Sequence, residues 1–320
     1  MSRKELHYKA LVLILAAGFL LSVWNCGEDR VAVLDLVPER GNAVLSIDLP
    51  VVSRDSDLSQ IVDIDELAPF LNEIHVKPDS VTQLAAFGDI QLQSRGEGYY
   101  GAILQGNYNA KRKLQELEET GWKKEKHAGE GLYHQQGSTE YVAGLSKNTL
   151  CLGTLDAVRD LLDVKRGKKK PASNTPTCGK LLSCFSESRA PVEIYMMVPQ
   201  DVLDMGYAGM TMLDAGLKLI SLGSIGAIMG KIGLVHGLGM TISHSGEGFP
   251  VELSCLMQSE GAASLISGSL NLLKGIASLV PSTQMSVQER QNMEAFNSMR
   301  VTRRENMLIV NMIVPREGFR

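Results

Sequence analysis

Histidine side chains are the residues of this 320-residue chain whose type first suggests metal binding. His127 and His134 flank a glycine turn and could approach each other across a hairpin. His236 and His244 would share a face of a continuous strand but lie about 26 Å apart along it. Zinc takes three or four protein ligands at about 2 Å. The sequence therefore predicts no metal site and no cofactor.

Carboxylate clusters are the second group that could do chemistry, as an acid/base pair. Their spacing is more typical of solvated helix faces, because Leu114 and Leu117 occupy the buried side of the second cluster. No serine lies in a Gly-x-Ser-x-Gly or Ser-x-x-Lys motif. The sequence predicts no catalytic residue, and a hydrolase would need a site assembled from dispersed residues. The two clusters are Asp63, Asp65 and Glu66, and Glu116, Glu118 and Glu119.

The glycine-rich stretch Gly223–Gly239 has the composition of a phosphate-binding loop but not its spacing. A P-loop places Lys-Ser or Lys-Thr after its last glycine, whereas Lys231 is followed by Ile232. We predict a closely packed apolar helix, turn and strand. An apolar or lipid-facing surface is the alternative, because Met205 to Met240 contains three charged residues.

Four of the five cysteines belong to the body of the chain. Cys151 and Cys255 lie in apolar, strand-like runs, where a thiol is usually a small core residue. Cys178 and Cys184 are six residues apart. On a helix they would be about 9 Å apart and on different faces, beyond disulfide reach. A disulfide between these two is possible only if that segment is not helical.

The remaining cysteine, Cys26, directly follows an apolar segment with a positive start. Arg3, Lys4 and Lys9 precede Ala10–Trp24, an uncharged run of 15 residues. As a helix this run spans about 22 Å, less than the ~30 Å hydrocarbon core of a bilayer. Its organisation is typical of a secretory signal peptide. Together with the cysteine it resembles a bacterial lipoprotein signal, which implies cleavage before Cys26 and acylation, for example by palmitate, at that residue.

This resemblance implies an exported protein that is anchored to a bacterial membrane by lipidated Cys26. The membrane is therefore an expected partner. Gly27 rather than Asp after the cysteine favours the outer membrane or periplasmic face. An uncleaved anchor, an unacylated cleaved signal and a buried cytoplasmic helix are the alternatives. Cleavage removes three basic residues and one acidic residue, which leaves 29 basic and 35 acidic residues and a net charge of −6. Nucleic acid is therefore not an expected partner.

The body of the chain shows the same order of predicted elements twice. It predicts an α+β fold of two tandem β-α-β-β-α-β-β units, related to the ferredoxin-like unit, with antiparallel sheets and helices packed on one face. The first copy comprises strand 43–50, helix 58–74, strands 81–93 and 99–108, helix 110–120, and strands 140–145 and 148–153. The second comprises strand 192–199, helix 202–222, strands 232–245 and 249–258, helix 260–279, and strands 299–304 and 306–314.

These elements divide the chain into a signal peptide, a tether, two repeats with a linker, and a tail. The linker begins with five basic residues in Lys165–Lys170. We favour a solvated linker, with contact to an anionic surface or nucleic acid as the alternative. The predicted boundaries are 1–25, 26–40 (lipidated N-terminus and tether), 41–164, 165–190 (linker and short helix), 191–315 and 316–320.

Three motifs, Pro38–Asp48, Leu84–Gly88 and Leu152–Arg159, resemble hallmarks of a family of bacterial exported proteins without an established activity. The resemblance implies fold and export and supplies no catalytic residue. The favoured function is thus a membrane-anchored envelope lipoprotein with a non-enzymatic binding or structural role. Its further partners would be an envelope protein or a lipid. A carrier of a lipid or other apolar ligand, through the Met- and Gly-rich second half, is the alternative, and an envelope hydrolase is less favoured.

Overall fold

The computed structural model describes residues 33–59, 67–89, 98–175, 178–182, 190–197, 235–245, 248–277 and 287–315. The chain divides into two compact units, unit 1 (residues 1–194) and unit 2 (residues 195–320). The described strands of unit 1 are β1 (Ala43–Asp48), β2 (Val81–Gly88), β3 (Tyr100–Gly106), β4 (Lys123–His127), β5 (Glu130–His134), β6 (Glu140–Ser146) and β7 (Thr149–Thr154). Its described helices are α1 (Leu49–Arg54), α2 (Ser56–Ser59), α3 (Ala68–Glu73), α4 (Ala110–Glu119) and α5 (Leu155–Lys165).

Unit 1 contains an antiparallel sheet with the strand order β1-β2-β3-β7-β6-β5-β4. Ala43 opposes Gly88 in the β1–β2 pair, and Gly101 opposes Gly153 in the β3–β7 pair. Each other neighbouring pair in this order is also antiparallel. The predicted fold class, α+β with antiparallel sheets, is confirmed.

Helices cover both faces of this sheet, so the predicted packing on a single face is wrong for unit 1. Leu114 of α4 packs against Gly144. A Cβ atom added to this glycine would lie 3.2 Å from Leu114 Cδ1. Asp163 of α5 lies 3.1 Å from His127 Nε2. The strand register places His127 on the face of Ala143, opposite that of Gly144. Strands buried on both faces have continuous apolar runs, and all six residues of β1 are buried.

The connection from β1 to β2 corrects two further expectations. In a ferredoxin-like βαβ unit a helical crossover joins parallel strands, whereas β1 and β2 are antiparallel neighbours. The helix predicted over 58–74 is also not continuous. α2 ends at Ser59, and α3 begins at Ala68 with Pro69 in its first turn. Proline is accepted in a first turn because those N–H groups have no helical partner, but it breaks a helix interior.

The β4–β5 hairpin is absent from the predicted order of elements. Its turn residues Ala128 and Gly129 have φ angles of 49° and 84°, as a two-residue type I′ turn requires. β4 (sequence KKEKH) is almost wholly exposed. Leu132 and Tyr133 of β5 are buried, and they fix the hairpin against the rest of the sheet.

Unit 2 contains β9 (Val235–Ile242), β10 (Phe249–Met257), β11 (Arg300–Arg304) and β12 (Met307–Val314), with helices α6 (Glu260–Ala277) and α7 (Val287–Ser298). β8 (Val192–Met197) crosses the boundary between the units. In β10, Val251 opposes Ile242 on one side and Met312 on the other. α7, which the sequence analysis does not predict, contacts β12 where Ser298 Oγ accepts from Ile313 N at 2.8 Å. The predicted helix 202–222 lies outside the described residues.

The strand paths are alike, β1-β2-β3-β7-β6 in the first half and β8-β9-β10-β12-β11 in the second. Each is a meander whose last two strands are exchanged. This agreement is one of topology only. The internal duplication itself stays a prediction.

Candidate functional site

The first residues that the structure describes, 33–42, form an N-terminal arm fixed to unit 1. Val33 and Val37 are 3% and 0% exposed. Pro38 forms a β-bridge with Pro171. Ala172 N donates to Val37 O at 2.8 Å, and Glu39 N donates to Lys170 O at 3.3 Å. The arm is therefore bonded to the segment that follows α5. Cys26 lies outside the described residues.

Asp89, directly after β2, holds the end of the N-terminal arm. Its Oδ1 accepts from Asn42 Nδ2 at 2.9 Å, and its Oδ2 is 3.8 Å from Arg40 Nε. The Arg40 guanidinium also lies 4.3 Å from the centroid of the Tyr99 ring, a cation–π geometry. Asp89 is 8% exposed, so a cationic partner offsets the cost of burying its charge.

Tyr99 extends this cluster to α5. Its hydroxyl donates to Asp160 Oδ2 at 3.1 Å, and the other Asp160 oxygen accepts from Lys169 Nζ. Tyr99 is 1% exposed. Burial, and then the Asp160 carboxylate, raise the pKa of Tyr99 far above its ordinary value. A phenol in this state is a hydrogen-bond donor at neutral pH and not a base or nucleophile, so the cluster joins elements rather than activating a group.

The basic run that was predicted as part of a linker begins at the end of α5. Glu130 Oε1 lies 3.4 Å from Lys165 Nζ and 3.3 Å from Arg166 Nη2. Burial raises the pKa of Glu130, but the two cations outweigh it and hold this pKa below its ordinary value. Lys168 and Lys170 are exposed, and within the described ranges neither has an ion-pair partner.

The histidines do not come together. His127 opposes Glu130 at the turn of the β4–β5 hairpin, and His134 opposes Lys123 at its open end, about 14 Å away at strand spacing. His127 pairs with Asp163, and His134 Nε2 lies 3.3 Å from a Glu125 oxygen. His236 and His244 belong to β9 and the residues after it. Among the described residues no three metal-ligating side chains form a group.

Cys151, Cys178 and Cys255, the cysteines of the described ranges, are buried. Burial raises the pKa of both Cys151 and Cys255 to about 12, and burial also raises the pKa of Cys178. Cys151 and Cys255 are core residues, as predicted. Cys184 lies outside the described residues, so its pairing with Cys178 stays a prediction.

The remaining candidates fall into two groups. Asp63, Asp65, Glu66 and residues 223–234 of the glycine-rich stretch lie outside the described residues. Glu116 pairs with Arg112 and Lys113 along α4, as expected for a solvated helix face. Glu118 pairs with Lys124 at 3.0 Å.

The outer side of α6 is a surface that the sequence analysis missed. Leu265 and Leu272 are 61% and 67% exposed. Gly261, Gly268 and Gly275 share their side at heptad spacing, and an added Cβ would find open space at the last two. The helix has two charged residues, one near each end. The recurrence of Leu and Gly every seven residues is the signal that could have revealed it.

None of the helices in the described ranges has the length and apolar character needed to cross a bilayer.

No protein-family model matches the chain, and a comparison with curated proteins found no match. Solved structures that resemble it include three crystal forms of the Treponema protein TP0453. Form I is 14% identical, with 89% of this chain and 93% of that chain covered and a TM-score of 0.46. Form IV is 13% identical, with 92% and 98% covered and the same TM-score. The likeness concerns the fold alone, and the resemblance to a family of exported proteins stays a prediction.

Proposed function

We propose that this protein is a lipoprotein of the bacterial cell envelope, held at a membrane by acyl chains on Cys26. The observation that carries the proposal is the closeness of this cysteine to the folded body. Val33, seven residues after Cys26, is already 3% exposed. The apolar run Ala10–Trp24 directly before the cysteine supports export. Two or more acyl chains hold a protein stably, at about 0.8 kcal/mol per buried CH₂.

The folded body acts, in this proposal, by binding or support rather than by catalysis. The buried ionisable groups of unit 1 bond one element to another: Asp89 holds the N-terminal arm, and Asp160 joins Tyr99 to Lys169. The thiol of Cys151, with its pKa raised to about 12, is protonated at neutral pH and is not a nucleophile there. Carboxylates and thiols are groups that enzymes use in catalysis. Here their contacts and burial support a structural role for them.

A carrier of an apolar ligand is the second candidate, and the outer side of α6 favours it. Exposed, uncharged helix faces of this length are unusual on soluble surfaces. The methionines of unit 2 that are core residues, Met240, Met257, Met307 and Met312, give it no support, and Met205, Met210, Met212 and Met229 lie outside the described residues. This candidate therefore depends on Leu265 and Leu272. Native mass spectrometry tests it: co-purified lipid on the wild type, lost in L265Q/L272Q, would favour a carrier.

Intact-mass analysis of the protein expressed in a bacterium tests the lipoprotein proposal. We expect the membrane fraction to contain a chain that begins at Cys26 and carries acyl chains. The Cys26→Ala variant should keep residues 1–25 or lose the added mass. A wild-type chain that is cleaved without acylation, or that is full length and unmodified, would overturn the proposal.

A further inference from the structure

The segment after α5 presents a basic surface, defined here as Lys165, Arg166, Lys168, Lys169 and Lys170. All five residues are exposed. Their charges are compensated unequally. Lys165 and Arg166 share Glu130, and Lys169 binds Asp160. For Lys168 and Lys170 the described part of the chain offers no carboxylate within ion-pair distance, so two full positive charges face outward.

This surface lies beside the N-terminal arm, whose first described residue is Val33. Lys170 O accepts from Glu39 N, and Pro171 bridges Pro38. Lys170, the last residue of the basic surface, therefore lies beside the N-terminal arm in one short backbone pairing. Glu39 is an exposed carboxylate on this pairing, and it opposes the attraction of the surface for anions.

The chain length sets how far this surface can be from the anchor. Val33, which is buried, is the seventh residue after Cys26, so seven Cα–Cα steps join the two. Fully extended, they reach at most about 25 Å. Acyl chains on Cys26 would therefore keep the start of the N-terminal arm within this distance of a bilayer surface, whatever path the seven residues take.

We propose that the basic surface faces the membrane that carries the acyl chains, and that Lys168 and Lys170 bind the phosphate groups of its anionic phospholipids. This inference rests on the lipidated anchor proposed above. A cationic cluster close to a lipid anchor is attracted to anionic lipid by about 1 kcal/mol per lysine, which corresponds to roughly fivefold per lysine. The acyl chains would hold the protein on the bilayer, and the two lysines would set which side of unit 1 faces it.

Lysine footprinting on vesicles tests the proposal with the protein purified from bacterial membranes. The protein is bound to vesicles of phosphatidylcholine, with or without about one third phosphatidylglycerol, and its amines are acetylated and read by peptide mass spectrometry. We expect Lys168 and Lys170 to react several-fold more slowly on the anionic vesicles and to recover at high salt. Lys111 and Lys126, exposed lysines on α4 and β4, are the matched controls and should not change.

Variants then distinguish charge-dependent contact with anionic lipid from steric protection by the nearby bilayer. In K168Q/K170Q the several-fold anionic-lipid protection of Lys165 should be lost. In K111Q/K126Q it should persist, and in Glu39→Gln it should increase. Equal protection on neutral and anionic vesicles, or equal protection at the control lysines, would overturn the inference. Protection by polyglutamate but not by vesicles would overturn it too, and would assign the surface to an acidic protein.

The intact mass of the same preparation keeps the two proposals apart. An acylated protein without lipid-dependent protection overturns the basic-surface inference and leaves the lipoprotein proposal standing. A protein without acyl chains overturns the lipoprotein proposal, and the inference fails with it.

Discussion

Replacing Tyr99 by Phe tests whether the cluster around Asp160 stabilises unit 1. The substitution removes one hydroxyl and leaves the ring in place, so no cavity forms. The lost bond has a length of 3.1 Å, is buried and ends on a carboxylate. Hydrogen bonds to charged groups contribute about 1.5–3 kcal/mol. We therefore expect Y99F to lower the free energy of unfolding of unit 1 by about 2 kcal/mol at pH 7.

The same substitution should also change how the free energy of unfolding depends on pH. The pKa of Tyr99 is raised in the folded protein, by burial first and by Asp160 next, while an unfolded tyrosine ionises near its ordinary pKa of about 10. Above that pH the unfolded state loses a proton that the folded state keeps. Stability is therefore fully present below about pH 10 and falls by up to about 1.4 kcal/mol per pH unit above it. Y99F lacks this loss, and the two stabilities should meet near pH 11.5.

Urea unfolding followed by the fluorescence of Trp122, which lies between α4 and β4, measures both quantities in protein lacking residues 1–25. Tyr141, whose ring stacks on His134 with centroids 4.7 Å apart, provides the control Y141F. This variant should change the free energy of unfolding at pH 7 by less than about 0.5 kcal/mol. A constant gap between wild type and Y99F from pH 9 to pH 12 would refute the reasoning, because it would mean that Tyr99 ionises equally in both states.

Three further substitutions or probes test the core and the surface. Gly153→Ala should destabilise unit 1 by at least about 3 kcal/mol in urea, because φ is 142° and a Cβ would overlap the backbone of β3; Gly137→Ala, with open space at φ 82°, should cost about 1 kcal/mol. L265Q/L272Q should leave thermal stability unchanged while it lowers binding of a hydrophobic dye, and a large stability loss would mean that α6 is covered. The Cys151 thiol, with a pKa raised to about 12, should react with a thiol reagent at pH 8 only after denaturation.

Strands with buried residues could be predicted from the sequence, whereas polar elements could not. The apolar pattern predicts β10 at 249–258, and the strand lies at Phe249–Met257, because eight of its nine positions are apolar or opposed by apolar neighbours. β4 has the sequence KKEKH, whose residues have low β propensity. It becomes a strand through its pairing with β5. α7 was missed for the same reason, since its sequence VQERQNMEAFNS has little apolar periodicity.

The contacts around Asp160 and those of the N-terminal arm were less predictable than the fold, because they join distant parts of the chain. Asp160 is 61 residues from Tyr99, and Pro38 pairs with Pro171. Local patterns carry no information on such pairings, which depend on strand register. The basic run was recognised from composition, and its position beside the N-terminal arm was not. The lipidation of Cys26, by contrast, is a prediction from a wholly local pattern.

Releasing the N-terminal arm from unit 1 would lengthen the tether. It would separate the anchor from the basic surface without altering a single lysine. Val37 is 0% exposed, and its carbonyl accepts from Ala172 N. Val37→Asp would bury a charge and should release the arm up to Arg40, which Asp89 still holds. The reach from Cys26 would then increase from about 25 Å to about 50 Å. We expect Lys168 and Lys170 to lose most of their anionic-lipid protection in footprinting, while the acyl mass and the Trp122 unfolding transition are retained. Undiminished protection would show that the lysines bind the bilayer independently of the tether, and that the length of the arm has no part in orienting unit 1.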